Sequence, residues 1–128
     1  MPLVRISLQA GKPAAYKRKV ADAIHAALVE TLKPPPDDRF QILTEHAAED
    51  LIVDPHFLGI DRSADVVIVQ VALRKGRTVA QKQAFYRQVA DRLHDAVGLR
   101  REDTVITLVE NDLPDWSFGN GVAQYVKE

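Results

Sequence analysis

A proline directly after the initiator methionine is the first residue of this sequence with a distinctive chemistry. A small residue at position 2 generally permits removal of Met1, which would leave Pro2 with a secondary amine at the start of the chain. Such an amine acts as a base when neutral, as an acid or cation when protonated, and as a nucleophile that forms an iminium with a carbonyl. Because an unperturbed α-amino group titrates near pH ~7.7–8.0, small environmental shifts select either role at neutral pH. Many chains begin Met-Pro without such a role, so catalysis requires suitable neighbours.

Two arginines three residues apart, Arg74 and Arg77, form a second candidate together with Lys75 and Gly76. They follow an apolar run that predicts a strand and precede a predicted helix. Guanidinium groups in that position make a good receptor for a carboxylate. The alternative is a basic turn that faces water.

Asp37 and Asp38 follow three consecutive prolines at the entrance to another predicted strand. Asp38 is the candidate carboxylate that activates water or stabilises a protonated Pro2. The alternative is a turn pair, or an ion-pair partner for Arg39.

Trp116 and Phe118 near the C-terminus are candidates for the apolar wall of a pocket that excludes water. The alternative is packing in the core or between subunits. The four histidines have no spacing typical of a zinc site, and the sequence contains neither a Walker loop nor a nucleotide-binding glycine pattern. We therefore expect neither a metal ion nor a cofactor. The histidines are His25, His46, His56 and His94.

The composition is that of an ordinary globular protein. The chain has 128 residues, of which 46% are hydrophobic and 27% charged, with a net charge of −1 and no cysteine. The length suits one domain over residues 1–128. The charge gives no general attraction for nucleic acid or anionic membranes, and no apolar stretch is long enough for a membrane span. We expect a cytoplasmic protein with neither kind of partner.

The hydrophobic pattern predicts six elements that would position these residues. Strands are predicted over 3–8, 40–44, 66–73 and 105–109, and helices over 14–32 and 79–97. The strand over 66–73 is apolar almost throughout, which is typical of burial on both faces. Thr78 and Gln81 form a capping-box pattern, and Gly98 is a candidate helix cap. Residues 45–65 are irregular and could form a hairpin or turn.

The two halves of the sequence align without gaps at an offset of 65 residues, over about 2–45 and 66–110. The matches include Gly11 with Gly76 and Asp38 with Asp103. Each half is a β-α-β unit, whose right-handed crossover makes its two strands parallel. The prediction is therefore an α/β (α+β) fold with a four-stranded, mainly parallel-paired sheet and two helices on one face. A neighbouring subunit would cover the other face.

The whole pattern resembles the tautomerase superfamily, and within it the malonate semialdehyde decarboxylase group. Three stretches resemble that group: 35–41, 81–86 and 108–119, the last containing Asp115-Trp116-Ser117-Phe118-Gly119. The resemblance implies a homotrimer with active sites near subunit boundaries. It implies a cationic Pro2 with Asp38 beside it, a substrate carboxylate held by Arg74 and Arg77, and a pocket wall of Trp116 and Phe118. The spacing of the two arginines differs from the decarboxylase pattern and is similar to that of the cis-3-chloroacrylic acid dehalogenase group.

The expected activity is decarboxylation of a small 3-oxo acid such as malonate semialdehyde. The alternatives are keto–enol tautomerisation, hydration or dehalogenation of a cis-3-haloacrylate, and a non-catalytic trimeric binding module. A retained Met1 would favour the binding module, because the Pro2 nitrogen would then be an amide.

Overall fold

A computed structural model describes residues 2–127, and its centre is a four-stranded sheet. The strands are β1 (Leu3–Gln9), β2 (Phe40–His46), β3 (Val67–Arg74) and β4 (Thr104–Asn111), and the helices are α1 (Ala14–Leu32) and α2 (Val79–Val97). The strand order is β2-β1-β3-β4. Strands β1 and β2 are parallel, as are β3 and β4, and the central pair β1–β3 is antiparallel. The predicted β-α-β units and their parallel pairings are confirmed.

The helix boundaries follow from local sequence. Thr78 accepts a hydrogen bond from the backbone of Gln81, whose side chain bonds back to Thr78, so the predicted capping box is present. Gly98 ends α2 at φ 70°, a left-handed conformation that glycine adopts without strain. Helix α1 ends similarly at Lys33, with φ 57°.

The core lies between the helices and one face of the sheet. In β1 the residues Val4, Ile6 and Leu8 are buried, and in β3 the alternate positions from Val67 to Leu73 are buried. The buried face of α1 is an apolar stripe at helical spacing, formed by Val20, Ile24, Ala27, Leu28 and Leu32. In the single chain both helices pack on one face of β3, and Gln70 on the other face is exposed. Burial of that second face depends on a neighbouring subunit and stays a prediction.

Three strands are longer than predicted, and β1 is extended by one residue, to Gln9. Strand β2 continues to His46, which pairs with Gln9, and β4 continues to Asn111, which pairs with Arg74. The polar residues at these ends gave no hydrophobic signal, whereas backbone pairing with a neighbour extends the strand regardless of side chain.

The two halves repeat their contacts at the offset found in the sequence. Within each half, corresponding residues pair with the same register, as shown by Leu3 with Phe40 and Ile68 with Val105. Three further contacts of the first half recur in the second half with each residue number raised by 65. The hydrogen bond from Ala10 N to His46 O (2.8 Å) recurs from Lys75 N to Asn111 O (2.7 Å), and that from Asp38 N to Pro35 O recurs from Asp103 N to Arg100 O (both 3.0 Å). The ion pair Lys17–Glu45 (2.6 Å) recurs as Lys82–Glu110 (3.0 Å).

The segment 47–66 joins the halves and is called the connector below. It contains short 3₁₀ turns at Ala48–Asp50 and Phe57–Gly59 rather than a hairpin. The Arg62 guanidinium holds the second turn by donating to the carbonyls of Asp54, Phe57 and Ile60 at 3.0–3.4 Å. Neither α1 nor α2 has the length and apolarity needed to cross a bilayer.

Candidate active site

Strand directions bring the candidate residues to one edge of the sheet. Because β1 runs parallel to β2 and antiparallel to β3, the first residues of β1 and β2 lie beside the last residues of β3 and β4. Leu3 pairs with Phe40 on one side and with Ala72 on the other. We call this the proline edge, since Pro2 precedes β1 there, and we call the other end of the strands the opposite edge.

Pro2 is buried at the start of β1, against the end of β3. Its position in the register places it next to the strand that ends in Arg74. Met1 lies outside the described residues, so removal of the methionine stays a prediction from the sequence.

Asp38 lies in the loop between α1 and β2, two residues before the start of β2. Its backbone N–H donates to the Pro35 carbonyl at 3.0 Å, and its Oδ1 atom is buried. The structure therefore places this carboxylate at the proline edge, in a partly buried position.

The loop that contains Asp38 is fastened to α1. The Arg39 guanidinium donates to Asp22 at 2.6 Å and to Gln41 at 2.8 Å, so the ion-pair partner of Arg39 is Asp22 on α1. That hydrogen bond is the main reason why the pKa of Asp22 lies below its ordinary value. His25 also contacts the Pro36 carbonyl through Nε2 at 2.9 Å. These contacts hold the loop on the helix and fix where Asp38 lies.

Arg74 and Arg77 differ in their surroundings. Arg74 is exposed at the end of β3, whereas Arg77 is half-buried and donates to the carbonyls of Arg74 (3.0 Å) and Leu32 (3.2 Å). Leu32 is the last residue of α1, where carbonyls lack helical partners and carry partial negative charge. Burial and repulsion from Arg74 both lower the pKa of Arg77. Arg77 thus supports the end of α1 as well as facing the site.

Both arginines line a cavity of about 180 Å³ that also includes Lys33, Pro34, Pro35 and Tyr125. A second cavity of about 300 Å³ shares Lys33, Arg74 and Arg77 with the first. Neither Lys33 nor Tyr125 was predicted as a site residue. Lys33 was visible only as the residue before the three prolines, and Tyr125 as an isolated aromatic in a polar tail.

Trp116 and Phe118 form an aromatic cluster at the same edge. Their rings are stacked, with centroids 5.3 Å apart and an angle of 1° between planes. Phe118 also contacts Phe40 at 5.6 Å and meets Tyr125 edge-on at 5.5 Å. The indole N–H of Trp116 donates to Asn111 at 2.7 Å, which fixes the ring orientation. The cluster connects the start of β2 to the cationic cavity through Tyr125.

Residues 2–127 contain no group of three histidine or acidic side chains able to hold a metal ion. The described edge instead combines a buried proline, a partly buried carboxylate, paired guanidinium groups and aromatic rings. Such a set of groups has the chemistry needed to bind a small organic anion, and a free amine on Pro2 would allow proton exchange with it.

Comparison with known proteins agrees with this geometry. Two family models described as tautomerase enzyme match residues 38–119 and 2–67, and the first alone covers more than half of the chain. The chain belongs to the tautomerase family. The probable tautomerase YusQ of Bacillus subtilis (strain 168) is 36% identical over 127 residues, which are 99% of this chain and 100% of YusQ.

Solved tautomerase-family structures match the fold closely. FG41 malonate semialdehyde decarboxylase, in a crystal structure with 3-bromopropiolate as inhibitor, is 43% identical with a TM-score of 0.91, covering 96% of this chain and 93% of that one. A malonate semialdehyde decarboxylase described for its decarboxylase and hydratase activities is 33% identical, also with a TM-score of 0.91, covering 96% and 95%. A fused 4-OT in a symmetric trimer is 28% identical with a TM-score of 0.77, covering 94% of each chain.

Proposed function

We propose that this tautomerase-family protein decarboxylates a small 3-oxo acid, such as malonate semialdehyde, with Pro2 as the amino-terminal catalytic group. The observation that supports this most is that Pro2, Asp38, Arg74 and the aromatic cluster all lie at the same sheet edge. The 43% identity to a malonate semialdehyde decarboxylase agrees with the proposal.

In the proposed reaction Arg74 and Arg77 bind the substrate carboxylate, and protonated Pro2 polarises the carbonyl at carbon 3. The bond between carbons 1 and 2 breaks, and carbon dioxide leaves. The electron pair forms a double bond between carbons 2 and 3 while the carbonyl oxygen takes the Pro2 proton, which gives an enol. Carbon 2 then takes a proton from solvent and the enol O–H returns its proton to Pro2, which yields the aldehyde. Condensation of neutral Pro2 with the carbonyl to form an iminium is the other route to the same electron sink.

Asp38 would keep Pro2 cationic and oriented, since a nearby carboxylate favours the charged form of an amine. Trp116 and Phe118 would form the pocket wall and exclude water, which strengthens the electrostatic contacts inside. These roles apply once Met1 has been removed.

We also propose that the protein is a homotrimer. The face of the sheet away from the helices bears exposed Phe40, Ile42 and Val109, and a second copy would bury these side chains. The symmetric trimer of the fused 4-OT relative supports this arrangement. The cytoplasmic location and the absence of nucleic-acid partners remain predictions from the sequence.

The first test is the intact mass of the purified chain before and after exposure to a small electrophilic alkynoate. We expect a mass without Met1 and one adduct that maps to Pro2. Carbon dioxide release from malonate semialdehyde should then be lost in Arg74→Ala and retained in a surface control, Lys19→Gln. A retained Met1 with no adduct would contradict the proposal and favour the non-catalytic binding module.

Keto–enol tautomerisation is the second candidate, because the relative YusQ is named a probable tautomerase. Here neutral Pro2 would act as the base, so activity would rise as Pro2 loses its proton, whereas an acid role requires the protonated amine. The pH profile of kcat/KM therefore distinguishes the two. Another candidate activity is hydration of a 3-substituted acrylate, in which Asp38 would activate water. An assay with that substrate distinguishes this activity from the other two.

A further inference from the structure

A cavity of about 310 Å³ lies at the opposite edge, between the connector and the end of β1. Gln9, the last residue of β1, and Val66, the last residue of the connector, line it from the side of the sheet. Gln9 is the equivalent of Arg74, and Val67, which follows Val66, is the equivalent of Pro2. The cavity therefore lies where the repeat places the counterpart of the candidate active site, but with neither the proline nor the paired arginines.

The connector supplies the apolar part of the lining, namely Leu51, Val53, Pro55, Ala48 and Ala64. The backbone of this segment is held in place by one residue. The Arg62 N–H donates to the Pro55 carbonyl at 2.9 Å, and the Arg62 guanidinium donates to three further carbonyls of the connector. An apolar chain of a few carbons can lie against this wall without requiring the connector to move.

The polar part of the lining consists of Gln9, Arg62 and Ser63. The Ser63 hydroxyl is already engaged, since it donates to Asp103 at 2.6 Å and accepts from the Asp65 N–H at 3.1 Å. The Arg62 guanidinium bonds the connector carbonyls through Nη1, and its Nε and Nη2 groups have no acceptor among residues 2–127. The Gln9 side-chain amide has no hydrogen-bond partner in the same part of the chain. The free donors at this cavity thus come from one guanidinium and one amide.

The charge of the lining comes from Arg62, because the described residues around the cavity include no acidic side chain. The two aspartates closest to Arg62 in the connector are engaged with His56. Asp54 accepts from its backbone N–H at 2.8 Å, and Asp61 contacts its ring at 2.9 Å. Within residues 2–127 Arg62 forms no ion pair. A carboxylate suits this guanidinium, because its two oxygens can accept from Nε–H and Nη2–H in parallel.

We propose that this cavity is a second, non-catalytic binding site for a small monocarboxylate with a short apolar chain. Arg62 would bind the carboxylate, the Gln9 amide would donate to it, and the chain would lie against Leu51 and Val53. The volume is at the lower end of ordinary ligand pockets, which limits the chain to a few carbons. Because the site needs no amine on Pro2, it is independent of the proposed function.

The test is a titration of the full-length protein with butyrate, followed through the methyl NMR signals of Leu51, Val53 and Val66. These three residues line the cavity, so their signals report where the ligand binds. We expect shifts that saturate with a Kd on the order of 1 mM, a usual affinity for so small a ligand. Butyramide has nearly the same shape without the charge and should bind about ten-fold more weakly, because charge-assisted hydrogen bonds are the stronger ones.

Two neighbouring alanines provide a matched pair of variants. Ala48→Leu places a larger side chain in the cavity and leaves Arg62 unaltered, so it should weaken butyrate binding about ten-fold. Ala47→Leu is the control, since Ala47 does not line the cavity, and both alanines are exposed, so neither change should disturb folding.

Shifts that do not saturate, or that occur only at the proline edge, would overturn the inference. Equal affinity for butyrate and butyramide, or unchanged affinity in Ala48→Leu, would also overturn it. None of these outcomes bears on the proposed function, which the Pro2 adduct and carbon dioxide release test separately.

Discussion

The proline edge and the opposite edge occupy equivalent positions, since each residue of one edge has a counterpart 65 positions earlier or later at the other. The backbone contacts are repeated, but the side chains are not. The equivalent pairs, with the proline edge first, are Pro2 and Val67, Asp38 and Asp103, Arg74 and Gln9, and Arg77 and Lys12.

At the opposite edge Val67, Asp103 and Lys12 make contacts that stabilise the fold. Val67 lies in the core, and Asp103 is only 1% exposed, accepting from the Ser63 backbone N–H at 2.7 Å and from its hydroxyl at 2.6 Å. Lys12 pairs with Asp65 at 2.9 Å. The connector supplies both Ser63 and Asp65, and a cavity of about 310 Å³ remains between it and Gln9. One backbone arrangement thus carries paired arginines at one edge and a connector held by hydrogen bonds at the other.

The largest difference between the two edges is expected for mutations of Pro2 and of its equivalent, Val67. Pro2→Ala should lower turnover by roughly 10²–10⁴-fold, the usual range for loss of an acid–base group, with little change in stability. Val67→Ala should leave the chemistry intact but lower the free energy of unfolding by roughly 2 kcal/mol, because it removes buried methyl groups. Turnover assays and urea unfolding of both variants measure this contrast. Full activity in Pro2→Ala would refute it.

The equivalent aspartates should show the same division, with activity lost at the proline edge and stability lost at the opposite edge. Asp103→Ala leaves the two Ser63 donors without their acceptor, so we expect a loss of about 3 kcal/mol in unfolding free energy. Asp38→Ala should mainly lower kcat. Asp103→Asn retains one acceptor oxygen and should recover part of the stability. If both alanine variants lose equal stability and equal activity, the division of roles between the edges is wrong.

The two equivalent ion pairs should differ more weakly. Glu110 binds Lys82 and the Gly76 backbone, next to Arg77, whereas Glu45 binds Lys17 far from the site. Glu110→Gln should raise KM about two- to five-fold, as expected for a partly exposed ion pair, and Glu45→Gln should leave KM unchanged. Steady-state kinetics of the two variants give the two KM values, and thermal unfolding checks that both variants are folded. Equal KM values would show that the Gly76 turn needs no such support.

The smallest effect concerns Asp22 and Arg39, whose equivalents in the second half are Arg87 and Thr104. The Arg39 hydrogen bond lowers the pKa of Asp22 below its ordinary 3.8. The stabilisation is therefore present above about pH 4 and is lost as pH falls through the lowered pKa. Asp22→Asn should lose less stability than the unaltered chain on acidification below pH ~4, measured by urea unfolding at several pH values. If the free energy of unfolding of Asp22→Asn and of the unaltered chain falls equally on acidification, this ion pair has no role in holding the Asp38 loop.

Periodicity and caps were enough to predict most of the fold. The stripe from Val20 to Leu32 and the Thr78 capping box are local signals, and the structure contains both. The connector was not predictable, because Arg62 fixes its turn through backbone carbonyls rather than through a sequence pattern. At the site, the sequence indicated Arg77 as a substrate ligand but not its bond to Leu32, since that contact depends on how α1 packs beside β3. Lys33 and Tyr125 meet the arginines only after folding.

The pairing of Arg5 with Gln70 at the centre of the sheet has a consequence for the order of the two halves. These residues are 65 apart, so a local two-fold axis passes between them and relates the backbones of the two halves. Exchanging the halves by circular permutation through the connector would leave the sheet order possible. It would, however, place Pro2 inside a peptide bond and remove its amine. Under the proposed chemistry, the requirement for a free chain end sets which half is translated first.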